Sequence, residues 1–142
     1  MRQSRLMGVA LAAAVGASCF HAAGFAEASA ADAAPASQSS SQGGVTITVA
    51  PSGFSSEART WDFTITMETH TQPLDDDLTE TSALLGDGKA HRPLGWDGAL
   101  PGGHHRKGVL HFTAIKPLPK AVELQIRRNG EESVRVFRWQ TK

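Results

Sequence analysis

Residues 61–67 read Trp-Asp-Phe-Thr-Ile-Thr-Met, and this strict alternation limits the folds open to the chain more than any other feature. Successive side chains of a strand point to opposite faces, so Trp61, Phe63, Ile65 and Met67 share one side while Asp62, Thr64, Thr66 and Glu68 share the other. A helix would scatter the four large apolar residues around its circumference. The same period recurs at Val45-Ile47-Val49, at Leu110-Phe112-Ala114 and at Val122-Leu124-Ile126. Residues 82–85 and 90–94 predict short strands on either side of the turn signal Gly86-Asp87-Gly88. Asn129-Gly130 predicts a tight hairpin turn into a strand over residues 133–140. There Phe137 and Trp139 face inward, and Val134 and Val136 on the other face predict a bulge or cover on both sides.

No segment keeps a helical period over two turns. Six to seven short strands with turn signals between them predict an all-β fold, an antiparallel β-sandwich of immunoglobulin-like type. The Cys–Trp–Cys signature of antibody domains is absent, and a small closed barrel is the competing architecture.

Ahead of the strands, Arg2 and Arg5 precede an apolar, alanine-rich run ending near Phe20, and Ala28-Ser29-Ala30 offers an A-x-A cleavage site. Residues 1–30 are thus expected to be a signal peptide, with no membrane span after cleavage and a periplasmic or secreted mature protein. A lipid anchor on Cys19 is the alternative, although Gly16-Ala17-Ser18 lacks the large aliphatic residue such a signal carries. Removing residues 1–30 takes away the one cysteine, so disulfides and thiolate metal sites are excluded from the mature chain. It also leaves twelve basic and thirteen acidic residues, a balance that gives no field for capturing nucleic acid. Residues 31–44, ADAAPASQSSSQGG, have no apolar period and are expected to form a disordered linker before a β-sandwich domain over residues 45–142.

The chemically capable side chains concentrate in residues 96–112, WDGALPGGHHRKGVLHF. Imidazole is a good ligand for zinc or copper, and without cysteine a metal site would rest on histidine and carboxylate. His70 leaves the end of the 61–67 strand, and Gly102 and Gly103 give His104 and His105 enough backbone freedom to face one ion. His70, His104 and His105 are therefore the candidate metal ligands, for copper or zinc. The other reading makes the histidine loop structural, its rings bonded to loop backbone. His91 reads as a solvated strand residue and His111 as outward-facing. Asp75-Asp76-Asp77 lacks the spaced pattern of a calcium loop and reads as a solvated run, with Arg106 and Lys107 as possible partners. Neither Gly53-Phe54-Ser55-Ser56-Glu57 nor Gly86-Asp87-Gly88-Lys89-Ala90 meets a nucleophile-elbow or phosphate-loop pattern, so no enzyme is expected.

ETHTQPLDDDL followed by PLGWDGALPGGHHRKGVLHF resembles an uncharacterised group of small exported bacterial β-sandwich proteins with a WDG-x-x-PGGHHR loop. The likeness covers most of residues 45–142. It implies that His70, Asp97, His104, His105 and Arg106 belong to one constellation, with Trp96 in the supporting loop, and it implies no activity. Leu100 stands where the group's pattern has a further proline. The expected function is a small exported binding module, holding copper or zinc through its histidine loop. The alternative is a non-enzymatic accessory domain that contacts an envelope protein partner.

Overall fold

The computed structural model describes residues 33–142; the expected signal peptide and Cys19 lie outside the described residues. Nine strands and one helical turn follow in order: β1 Gln38–Gln42, β2 Val45–Pro51, β3 Thr60–Thr69, α1 Leu78–Thr81, β4 Ser82–Gly86, β5 Lys89–His91, β6 Gly95–Gly98, β7 His105–Thr113, β8 Ala121–Ile126 and β9 Arg135–Gln140. They form two antiparallel sheets, ordered β1-β2-β3-β7-β6 and β5-β4-β8-β9. With β2 as the first strand, this is the A-B-E-D sheet of an immunoglobulin-type sandwich facing C′-C-F-G. β1 is an additional strand at the A edge.

Trp61, Phe63, Ile65 and Met67 of β3 are all buried, at 1% exposure or less, and Asp62, Thr64 and Thr66 look outward. β3 lies at the centre of the larger sheet, between β2 and β7, because it is the one strand long and apolar enough to back the whole core. Across the sandwich, Phe63 meets Trp139 of β9 with centroids 5.8 Å apart, and within its own sheet it meets Phe112 of β7 edge-on at 5.6 Å. Phe54, from the connection before β3, stands edge-on to Trp61 at 5.3 Å. One end of the sandwich is thus filled with aromatic rings.

The opposite end is held by polar groups. Arg106, Arg128 and Arg135 are buried there, and their guanidiniums bind carbonyls of the surrounding loops. Arg135 donates to the Ser40, Gln42 and Val45 carbonyls and pairs with Glu131.

Several expectations need correction. Residues 38–42 of the expected linker form β1, in register with β2 from Gln38↔Val49 to Gln42↔Val45. No apolar period signals this strand, since QSSSQ is held by its ladder, by Ser39–Thr48 and Ser41–Thr46 hydroxyl pairs, and by side chains of the other sheet. Gln38 clasps the Arg138 backbone through both amide atoms, and the Trp139 indole N–H reaches the Ala36 carbonyl at 2.7 Å. Gly43 and Gly44, both at positive φ, make the turn into β2, the conformation a two-residue hairpin demands.

Asn129-Gly130 does not close a two-residue hairpin, because residues 127–134 connect β8 to β9. Arg128 is drawn into the polar end and the Arg127 N–H bonds the Thr81 carbonyl, so the chain leaves the ladder early. β9 has no bulge. Its register runs unbroken from Ala121↔Gln140 to Ile126↔Arg135, and Arg135 takes the inward position while Val136 is 47% exposed.

The face assignment of β3 yields a direct test. Phe63→Ala removes a fully buried ring and should cost about 3–5 kcal/mol, whereas Thr64→Ala on the outer face should cost well under about 1 kcal/mol. Urea denaturation of the two variants checks this, and equal midpoints would refute the assignment.

Candidate functional site

The six residues singled out in the sequence divide among three places. His70, His104 and His105 border one open depression of about 440 Å³, together with Gly44, Thr46, Glu68 and Thr69. It forms where β3 ends and β7 begins, and the Thr69 N–H to His104 carbonyl bond of 2.9 Å sets the two segments side by side. His105 Nδ1 lies 3.5 Å from the Glu68 carboxylate, with both side chains about 60% exposed. An ion pair so open to solvent adds little. Among the described residues, no group of three or more His, Cys, Asp or Glu side chains is arranged to hold a metal ion. The three rings share a rim and do not converge.

Arg106 and Trp96 sit elsewhere, on the inward side of the sheet. The guanidinium of Arg106 stands 5.2 Å from the Trp96 ring centroid, a cation–π contact. Its Nε donates to the Ala99 carbonyl, which also accepts the Trp96 indole N–H, and its Nη1 donates to the Asp76 carbonyl at 2.6 Å. Burial lowers the Arg106 pKa, and the nearby charges of Asp76 and Asp77 oppose that shift. β6 and β7 meet at Gly98 and Gly108, where an added Cβ on Gly108 would lie 2.5 Å from the Trp96 ring and 2.7 Å from Gly98 Cα. The Trp-Asp-Gly turn and the arginine after the histidine pair therefore form a packed strap across the sheet end.

Asp97 belongs to a third cluster, one the sequence reading missed. His111 on β7 donates or accepts at both ring nitrogens: Nδ1 lies 2.7 Å from Asp62 Oδ1, and Nε2 lies 2.9 Å from Asp97 Oδ2. Asp62 is its direct cross-strand partner on β3, and Asp97 reaches it diagonally from β6. The arrangement fastens three strands on the outer face of the sheet. The available signal was the outward parity of Asp62 and His111, but only the register, unknown from sequence, places them opposite one another. With both ring nitrogens engaged, neither is left for a metal or for activating a nucleophile.

The aspartate run also differs from a solvated stretch. Asp75 is exposed, Asp76 is buried and Asp77 caps the turn of α1 by accepting from the Thr79 N–H at 3.0 Å. The Thr79 hydroxyl, and after it that backbone bond, lower the Asp77 pKa. Arg106 is a neighbour as expected, but it binds backbone, and the carboxylate of Asp76 pairs with Arg128 at 2.8 Å. Lys107 takes no part among the described ion pairs.

Comparison of the chain with protein-family models, curated proteins and solved structures returns no match.

His111 makes stability depend on pH in a defined direction. The hydrogen bond to Asp62 raises its pKa most, burial opposes this, and Asp97 adds to the rise. A raised folded-state value means that its contribution is complete below about pH 6.5, the unfolded-state value, and is lost as pH climbs through the folded-state value. The stability advantage of the wild type over His111→Gln should accordingly be larger at about pH 6 than at about pH 9. Denaturation at the two pH values measures it; an advantage that grew with pH would be inconsistent with the brace.

Proposed function

We propose that this protein is an exported, non-enzymatic immunoglobulin-like module that works by binding, and that its histidine-rich segment is chiefly a structural strap. The observation supporting this reading is the fate of the reactive side chains. Trp96 and Arg106 are packed against one another and against loop carbonyls, and His111 is engaged at both nitrogens. What the strap leaves accessible is contact surface, including Leu94 at 61% and Leu100 at 84% exposure, suited to an envelope protein partner. No helix of the described residues is long and apolar enough to cross a membrane.

A second reading rests on a separate observation. His70, His104 and His105 face one depression with Glu68 beside them, and a small movement of the Gly102-Gly103 hinge, at φ 114 and 73, could bring imidazoles together on copper or zinc.

Two measurements decide between them. Under the strap reading, Arg106→Leu leaves the Asp76 carbonyl without its donor and the Ala99 carbonyl with the Trp96 indole alone, and should lower stability by about 1–3 kcal/mol. The exposed pair His104→Ala/His105→Ala should change stability by less than about 0.5 kcal/mol. Calorimetric titration with Cu²⁺ and Zn²⁺ should then show no saturable binding. One equivalent of tightly bound metal, lost in the His104→Ala/His105→Ala variant, would establish the second reading instead.

A further inference from the structure

At the aromatic end of the sandwich, a second cavity of about 510 Å³ opens between the β4–β5 hairpin and the segment after β7. It lies at the other end of the ten-residue β3 from the histidine depression, about 30 Å away, so nothing in it depends on the function proposed above.

Its floor is apolar. Ala114 and Ile115 are core residues at 7% and 8% exposure, and Pro117 continues that surface outward. Its rim is cationic, because Arg59, Lys89 and Lys116 all line it and none has an ion-pair or hydrogen-bond partner for its side chain among the described residues. Buried Arg106, Arg128 and Arg135 and surface Arg138 have each found a carboxylate or a carbonyl, whereas exposed Arg59 has neither. Asp87 is the single carboxylate lining the cavity. It occupies the hairpin turn with Gly88, both at positive φ, a geometry that fixes the hairpin carrying Lys89 and His91.

A second observation is independent of charge. His91 Nε2 is buried and has no hydrogen-bond partner among protein groups. Leaving a buried polar nitrogen unpaired costs about 1–3 kcal/mol, so such atoms in a native fold call for an explanation. His91 lines this cavity. Nε2 itself lies beneath the cavity surface, so a ligand oxygen bound between the cations would neutralise the rim and would satisfy the nitrogen once the His91 ring turned toward it.

We propose that this cavity binds a small organic dianion, a phosphate monoester carried on an apolar body. Three cations against one carboxylate leave two positive charges in excess, which matches a dianion rather than a single carboxylate. Arg59 supplies a planar fork suited to phosphate oxygens, and Lys89 and Lys116 act as mobile point charges at the rim. The Ile115–Pro117 floor receives the apolar body.

The test uses the mature protein with phenyl phosphate, inorganic phosphate, benzoate and benzyl alcohol, read by calorimetry and by the ring nitrogen resonances of His91. Phenyl phosphate should saturate, bind more tightly than either inorganic phosphate or benzoate, and shift the His91 resonances, while benzyl alcohol should not bind. Arg59→Ala/Lys116→Ala should weaken phenyl phosphate binding by at least about tenfold, the loss expected of charged hydrogen bonds. Both side chains are exposed and unpartnered, so the variant retains the fold. Lys107→Ala/Arg127→Ala removes the same charge elsewhere and should leave affinity within about twofold. Absence of saturation up to about 10 mM, equal losses in the two double variants, or binding that leaves His91 unmoved would each overturn the proposal.

Discussion

The buried carboxylate of Asp76 is the interaction on which the polar end of this sandwich depends. Its side chain has 0% exposure, pairs with Arg128 Nε at 2.8 Å and accepts the Asn129 N–H at 3.1 Å. Its own carbonyl receives Arg106. Arg106 belongs to β7 in one sheet, and Arg128 follows β8 in the other, so one residue of the crossing connection ties the two sheets together. An isolated charge in that position would be prohibitive, and it is tolerated because a guanidinium pairs with it and each carboxylate oxygen meets a donor. Leu74 and Leu78, on either side, carry the same segment into the core.

From this tie the division of the molecule follows. At the polar end, arginines gather the carbonyls that the connections between sheets leave without ladder partners, and the strap containing Trp96 is gathered with them. At the aromatic end, Phe54, Trp61, Phe63, Phe112 and Trp139 fill the space between the sheets by ring contacts. The loop carbonyls of Ser55 and Ala36 are met there by the indole N–H groups of Trp61 and Trp139, and the basic residues Arg59, Lys89 and Lys116 take no part. Trp96 and Arg106 of the histidine-rich segment thus carry structural work at the polar end, and the unengaged cations Arg59, Lys89 and Lys116 border a cavity at the other.

The strand pattern was legible because apolar alternation is a local signal. β3, β7 and β8 fall where Phe63, Leu110 and Leu124 place them, and β4 begins at Ser82 as its pattern requires. β1 was not legible as apolar alternation, since its stability comes from residues about a hundred positions away in β9, although Gly43-Gly44 was a turn signal that went unread. Asp76 hid within a run of three aspartates. The period-two sequence Leu74-Asp76-Leu78 did carry its inward direction, but charge alone suggested solvent. His111 with Asp62 and Asp97 required the register of three strands, and the separation of Arg106 from His105 required knowing that β7 begins there and sends neighbours to opposite faces.

The measurement that bears most directly on the tie between the sheets is the equilibrium stability of Asp76→Ala beside Asp75→Ala. Loss of the buried carboxylate should leave Arg128 Nε and the Asn129 N–H without an acceptor and cost about 2–5 kcal/mol, while the exposed neighbour should change stability by no more than about 0.5 kcal/mol. If the two substitutions lowered the denaturation midpoint equally, Asp76 would not be what holds the sheets together.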